Sequence, residues 1–132
     1  MQLVRGFTLV ELMVTIAILA IIATLAAPSF SNIIQRQQLN SATESLVSLL
    51  EEARTEAVLK HRDISVKISP TDTTQTTYTW KSPNSVPSPT TPSLITFNRY
   101  GGTGTNQITA TLTYKSQTKV INVTPLGNIS SN

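Results

Sequence analysis

The hydrophobic pattern changes period twice along the chain. From Leu12 to Gln35 no residue is charged, in an apolar run broken only by Pro28. At ~1.5 Å rise per residue, a helix over this run exceeds the ~30 Å hydrocarbon core of a bilayer. From about Ser29 to Arg62 the pattern becomes one-sided. Leu39, Ala42, Leu46, Leu49, Leu50, Ala53 and Ala57 recur at spacings of three and four, which predicts an amphipathic helix with one buried stripe. Glu44, Glu51, Glu52, Arg54, Glu56 and Lys60 fall largely elsewhere around it, on a solvated or subunit-facing surface. Pro28 is the one strong breaker, so the two segments read as a single bent helix.

After Arg62 the period becomes two. Ile64, Val66 and Ile68 alternate with polar residues up to Pro70. Residues 77–81 form a second candidate strand, with Tyr78 and Trp80 on one face, and residues 94–100 a third. Ile108, Ala110, Leu112 and Tyr114 alternate with Thr109, Thr111 and Thr113, and Val120–Val123 follows. The short joint at Ser116-Gln117-Thr118 predicts a hairpin between the last two. Residues 82–93, rich in Pro and Ser, read as an exposed surface loop. The expected fold class is α+β, a long N-terminal helix packed on an antiparallel sheet.

The chain's 132 residues leave room for one modest domain beyond the helical run. With no cysteine there is no disulfide, thiol chemistry or cysteine metal site. The net charge of +3 is too small to argue for nucleic acid by itself. The decisive charge is local. Glu11 stands at the head of the apolar run, where an uncompensated carboxylate costs several kcal/mol on rough scales. Nothing basic lies within one helical turn of it, so its partner is sought on another molecule.

Gly6-Phe7-Thr8-Leu9-Val10-Glu11, preceded by a short leader with Arg5 and followed by the apolar run, resembles the prepilin cleavage motif of type IV pilins and type II secretion pseudopilins. The resemblance implies cleavage after Gly6 by a prepilin peptidase at the cytoplasmic side, N-methylation of Phe7, and a filament-assembly role for Glu11 as the fifth residue of the mature chain. The new ammonium at Phe7 of one subunit would then meet Glu11 of a neighbour, relieving an unmatched charge on each. Pro28 matches the helix-bending proline of many pilins. The implied organisation is a leader at 1–6, a transmembrane and filament-core helix at 7–30, and a periplasmic head at 31–132, its helical half at 31–62 and its β region at 63–132. The implied location is the bacterial inner membrane, crossed once, with later assembly into a filament of other pilins.

Leu46 to Val58 resembles the helix region typical of the GspH/FimT minor pilins, and Thr124-Pro125-Leu126-Gly127-Asn128 resembles that family's terminal Thr-Pro-x-Gly-Arg element. This implies a structural subunit that helps to start or cap a type IV pilus or secretion pseudopilus. The alternative is a DNA-binding minor pilin for DNA uptake. Some relatives that bind DNA carry Gly-Arg-x-Arg where this chain reads Gly127-Asn128-Ile129-Ser130, so the arginine contacts to phosphate are missing. Lys67, Lys81, Arg99, Lys115 and Lys119 would form a DNA-binding patch if they shared a face.

Other chemistry is thin. His61, the only histidine, reads as a cation at the helix C-terminus. Gly101-Gly102-Thr103-Gly104 lacks the lysine and helix of a phosphate loop and reads as a turn. Asp63 and Asp72 are not spaced as a metal loop, and no nucleophile with a general base is visible. No catalytic residue, metal or cofactor is expected.

Overall fold

The computed structural model describes residues 6–68, 78–83, 86–89, 92–104 and 106–132, without the side chains of 25–29. One helix, α1, runs unbroken over Leu9–Lys60 and passes through Pro28. The chain divides into two units, residues 1–34 and Gln35–Asn132. The first is helical from Leu9 onward and exposes its large apolar side chains, from Leu9 to Ile22 and again at Phe30, Ile33 and Ile34.

Among the described residues the second unit contains the rest of α1 and six strands: β1 Ile64–Lys67, β2 Tyr78–Thr79, β3 Leu94–Phe97, β4 Ile108–Tyr114, β5 Gln117–Val123 and β6 Ile129–Ser131. They form two three-stranded sheets, ordered β2-β1-β3 and β4-β5-β6. Sequence periodicity suggests one antiparallel sheet; the structure has two, and β1 pairs with β2 in parallel. The other pairings are antiparallel.

The helical stripe is buried as its spacing demands. Leu39, Ala42, Leu46, Leu50, Ala53 and Ala57 enter one core with Ile64, Val66, Trp80, Ile95, Phe97, Ala110, Leu112, Ile121 and Val123, while Leu49 packs at its edge. Each large aliphatic side chain so buried contributes about 1.5–3 kcal/mol of transfer free energy. The Trp80 indole N–H donates to Ser45 Oγ at 2.9 Å, so the ring is buried without an orphaned donor. The helix ends at Lys60, two residues before the expected limit, and the cap is made by backbone. Arg62 N–H donates to Ala57 O and His61 N–H to Val58 O, with His61 at φ 49°. This is the paired Schellman pattern, which usually places glycine where His61 stands.

Several strand limits differ from the periodic expectation, each for a local reason. The third strand stops at Phe97 because Asn98 turns the chain: its Oδ1 accepts from Tyr100 N–H and Gly102 N–H. The second strand shortens to Tyr78–Thr79, and Thr77 lies outside the described residues. The β4–β5 hairpin turns at Lys115-Ser116, with Lys115 at φ 53°, so β5 begins at Gln117. In the Pro- and Ser-rich segment Val86 joins the core and Pro89 is buried, so the segment is not simply exposed surface.

The C-terminal turn is packed tightly between other backbone segments. Gly127 has φ 85°, and a Cβ placed there would lie 1.8 Å from Gly101 O. Gly127 N–H and Asn128 N–H donate to Thr124 O and Thr124 Oγ1, closing the turn. Arg54 Nη2 reaches Leu126 O at 3.4 Å, tying the turn to α1. Gly127→Ala is therefore expected to destabilise the domain by about 2–4 kcal/mol, since it combines left-handed strain with a backbone clash. Urea denaturation followed by Trp80 fluorescence checks this; a loss below about 0.5 kcal/mol would show that the turn yields freely.

Candidate functional site

Gly6 and Phe7 precede α1 in non-helical backbone, and Phe7 is 80% exposed. Thr8 is the N-cap. Its Oγ1 accepts from Glu11 N–H at 3.3 Å, and its carbonyl accepts from Leu12 N–H at 3.2 Å. Thr8-Leu9-Val10-Glu11 thus has the spacing of a capping box, with Glu11 at the third helical position. A carboxylate in the first turn also faces the positive end of the helix dipole. Glu11 is therefore placed by local helix physics as well as by any neighbour. The Thr8-to-Glu11 spacing is visible in the sequence, but the weight of the isolated charge obscures it.

Along the same segment polar groups are turned inward on the helix itself. Thr15 Oγ1 donates to Leu12 O at 2.8 Å and Thr24 Oγ1 to Ile21 O at 2.7 Å. Both hydroxyls are satisfied locally, so an apolar environment need supply no partner for them. Among the described residues no helix is long and apolar enough to cross a membrane, and side chains 25–29, inside the run read from the sequence, lie outside that description. Pro28 belongs to those five, and Arg5 of the leader also lies outside the described residues.

The five basic residues considered for DNA are dispersed over the second unit. Lys67 is on β1, Lys81 lies just past β2, and Arg99 is in the turn after β3. Lys115 occupies the β4–β5 turn and Lys119 the strand beyond it. Only the last two share a hairpin, and Lys115 is stationed over the Tyr114 ring, 5.5 Å from its centroid. The structure instead brings Arg36 of α1 next to this hairpin, through a 3.3 Å hydrogen bond to Gln117 Oε1. Sequence periodicity leaves Arg36 as one more helix charge, because its neighbour is 81 positions away.

On the helix surface Glu56 gathers several partners. Lys60 and the Tyr78 hydroxyl both hydrogen-bond to it, and Arg62 Nη2 lies 3.6 Å away. The Glu56–Lys60 spacing is legible in the helix; the Tyr78 contact is not. The Lys60 and Tyr78 hydrogen bonds hold the Glu56 carboxyl below the usual glutamate range. The same bond to Glu56 pushes the Tyr78 phenol up to about 12. His61 takes no side-chain role in this cluster beyond its backbone cap. Among the described residues no group of three or more His, Cys, Asp or Glu could hold a metal ion.

Residues 1–27 match the family described as the prokaryotic N-terminal methylation motif. The start of the chain is similar to that motif, and the chain is similar to curated fimbrial proteins. A fimbrial protein of Pseudomonas aeruginosa is 38% identical over 73 residues, which is 55% of this chain and 47% of that protein. Fimbrial protein EcpC of Eikenella corrodens is 44% identical over 41 residues, covering 31% and 27% of the two chains. The alignment thus spans about half the length of the pseudomonad relative. No solved structure matches. The match to the methylation motif spans the capped helix start, the segment that carries Gly6, Phe7 and Glu11.

The Glu56 cluster has a defined pH signature. A depressed Glu56 contributes stability above the ordinary glutamate value of 4.5, lost as pH falls through its lower folded value. Raised Tyr78 contributes stability that is complete below pH 10 and is lost as pH climbs toward about 12. Tyr78→Phe should lower stability at neutral pH and flatten the alkaline limb, since the bond to Glu56 is lost at both; Glu56→Gln should flatten both limbs. Thermal melts at about pH 3, 7 and 11 would check this. Parallel alkaline limbs for wild type and Tyr78→Phe would remove the phenol–carboxylate bond from the account.

Proposed function

We propose that this chain is a minor pilin or pseudopilin of the GspH/FimT type, a structural subunit that helps to start or cap a type IV pilus or a type II secretion pseudopilus. The observation that carries the reading is the start of α1. A capped first turn holds Glu11 at the head of a helix whose described apolar side chains are exposed from Leu9 to Ile22. Such a surface is too large for a solitary soluble helix and calls for lipid or other helices around it.

In this reading a prepilin peptidase cuts after Gly6, Phe7 is N-methylated, residues 7–30 anchor the chain in the inner membrane with the bend at Pro28, and the head faces the periplasm. Glu11 of one subunit pairs with the Phe7 ammonium of the next. The GspH/FimT assignment draws on the Thr124–Asn128 turn, whose packing against Gly101 and Arg54 gives that element a structural task. A DNA-uptake role has less support, because the basic residues lie on separate elements and Asn128 stands where DNA-binding relatives have arginine.

Glu11→Ala should leave membrane insertion intact, since the apolar segment loses a charge. Its recovery in sheared filaments should fall by at least about tenfold, because the neighbouring ammonium is left unmatched. Quantitative immunoblots of membrane and filament fractions decide the matter. Equal recovery of the variant and wild type in filaments would sink the pairing.

A further inference from the structure

The inward side chains of β5 fall at every second position: Val123, Ile121, Lys119 and Gln117. The first two are fully buried in the core, whereas the next two, in the same row, are polar and half-buried. On α1 the buried stripe meets this row at Leu39, flanked by Arg36 and Asn40. These residues, with Thr118, line a depression of about 320 Å³.

Its electrostatics are one-sided. No carboxylate lines it, and among the described residues neither Arg36 nor Lys119 lies within ion-pair distance of one. Gln117 Oε1 engages only Nε of Arg36, and a guanidinium has four further N–H donors on its terminal nitrogens. Two cations side by side without a counter-ion repel each other, and an entering anion relieves that repulsion. A guanidinium fork, an ammonium and the N–H groups of two carboxamides together match the several oxygens of a phosphate group.

We propose that this depression binds the phosphate of an anionic phospholipid headgroup. The inference rests on the reading of the apolar run as the membrane anchor, for Arg36 is the first charge after the uncharged stretch Leu12–Gln35. A basic side chain held close to an anionic lipid surface gains about fivefold in affinity. Lys115 on the same hairpin adds to the positive field without lining the depression. Duplex DNA would need a row of cations along its backbone. Here Lys67, Lys81 and Arg99 belong to other elements, and the compact Arg36–Lys119 pair suits one headgroup.

The test uses the full chain in maltoside micelles, with the amide resonances of Gln117, Thr118 and Lys119 followed by NMR. Short-chain phosphatidylglycerol should shift them saturably, and at least about fivefold more tightly than short-chain phosphatidylcholine or inorganic phosphate. Arg36→Gln and Lys119→Gln should each weaken the response about fivefold, while Lys67→Gln leaves it unchanged. Unperturbed Leu112 and Ile121 amides confirm that the variants are folded. Equal affinity for the two lipids, or indifference to both variants, overturns the site. Inorganic phosphate binding as tightly as the glycerol lipid makes it a free-anion site, and tighter saturation by a short DNA duplex makes it a nucleic-acid contact; either result overturns the lipid assignment. Anchoring is read separately, by alkaline extraction of wild-type membranes, so failure of that reading and failure of lipid binding in micelles are distinguishable.

Discussion

The second unit depends on one packing constraint, the order of large and small residues along the buried stripe of α1. Leu39, Leu46 and Leu50, with Ala42 among them, fill the first part of the stripe, and Ala53 and Ala57 the last. Next to those alanines in sequence, Arg54 and Val58 carry the loops that come close to α1. Gly101 sits against Arg54 and Val58, and Gly127 against Gly101 and Arg54. Larger side chains at Ala53 or Ala57 would overfill a fully buried position, and overpacking of this kind typically costs about 1–3 kcal/mol.

The stripe is also why so much of the fold is legible in the sequence. Its three-and-four spacing identifies the core face without knowledge of any strand, and the Ile108–Tyr114 alternation matches β4 residue for residue. What escapes such reading has physical reasons. β5 extends back to Gln117 through positions that point inward yet are polar, so hydrophobic alternation ends too early. β6, Ile129–Ser131, carries one apolar residue, and only its ladder with β5 makes it a strand. Val86 and Pro89 are buried within a segment whose composition signals surface. The split into two sheets and the parallel β1–β2 pair depend on long-range pairing, which no local period encodes.

The candidate site divides in the same way. Gly6, Phe7 and Glu11 lie in one contiguous stretch, so the resemblance they carry can be read without knowledge of the fold. The head's polar clusters join residues distant in sequence: Arg36 with Gln117, Glu56 with Tyr78, Arg54 with Leu126. Pattern reading sees each member in isolation from its partner. The four lysines and one arginine considered for DNA lie on several elements, and their order along the chain does not decide which of them share a face.

Arg54 and Arg36 show how one residue type serves opposite ends of the same stripe. Arg54 lies beside the alanines, where close backbone approach brings the Leu126 carbonyl within reach of its guanidinium. That carbonyl supplies an acceptor, so the arginine helps to fasten the C-terminal turn to the helix in a domain without disulfides. Arg36 lies beside Leu39, where bulkier packing and the polar end of β5 leave an open depression. Its protein partner there is a side-chain amide, and a second cation stands close by. The difference follows from what the stripe allows to approach: backbone oxygen at the alanine end, and at the leucine end a positively charged hollow that an external anion can complete.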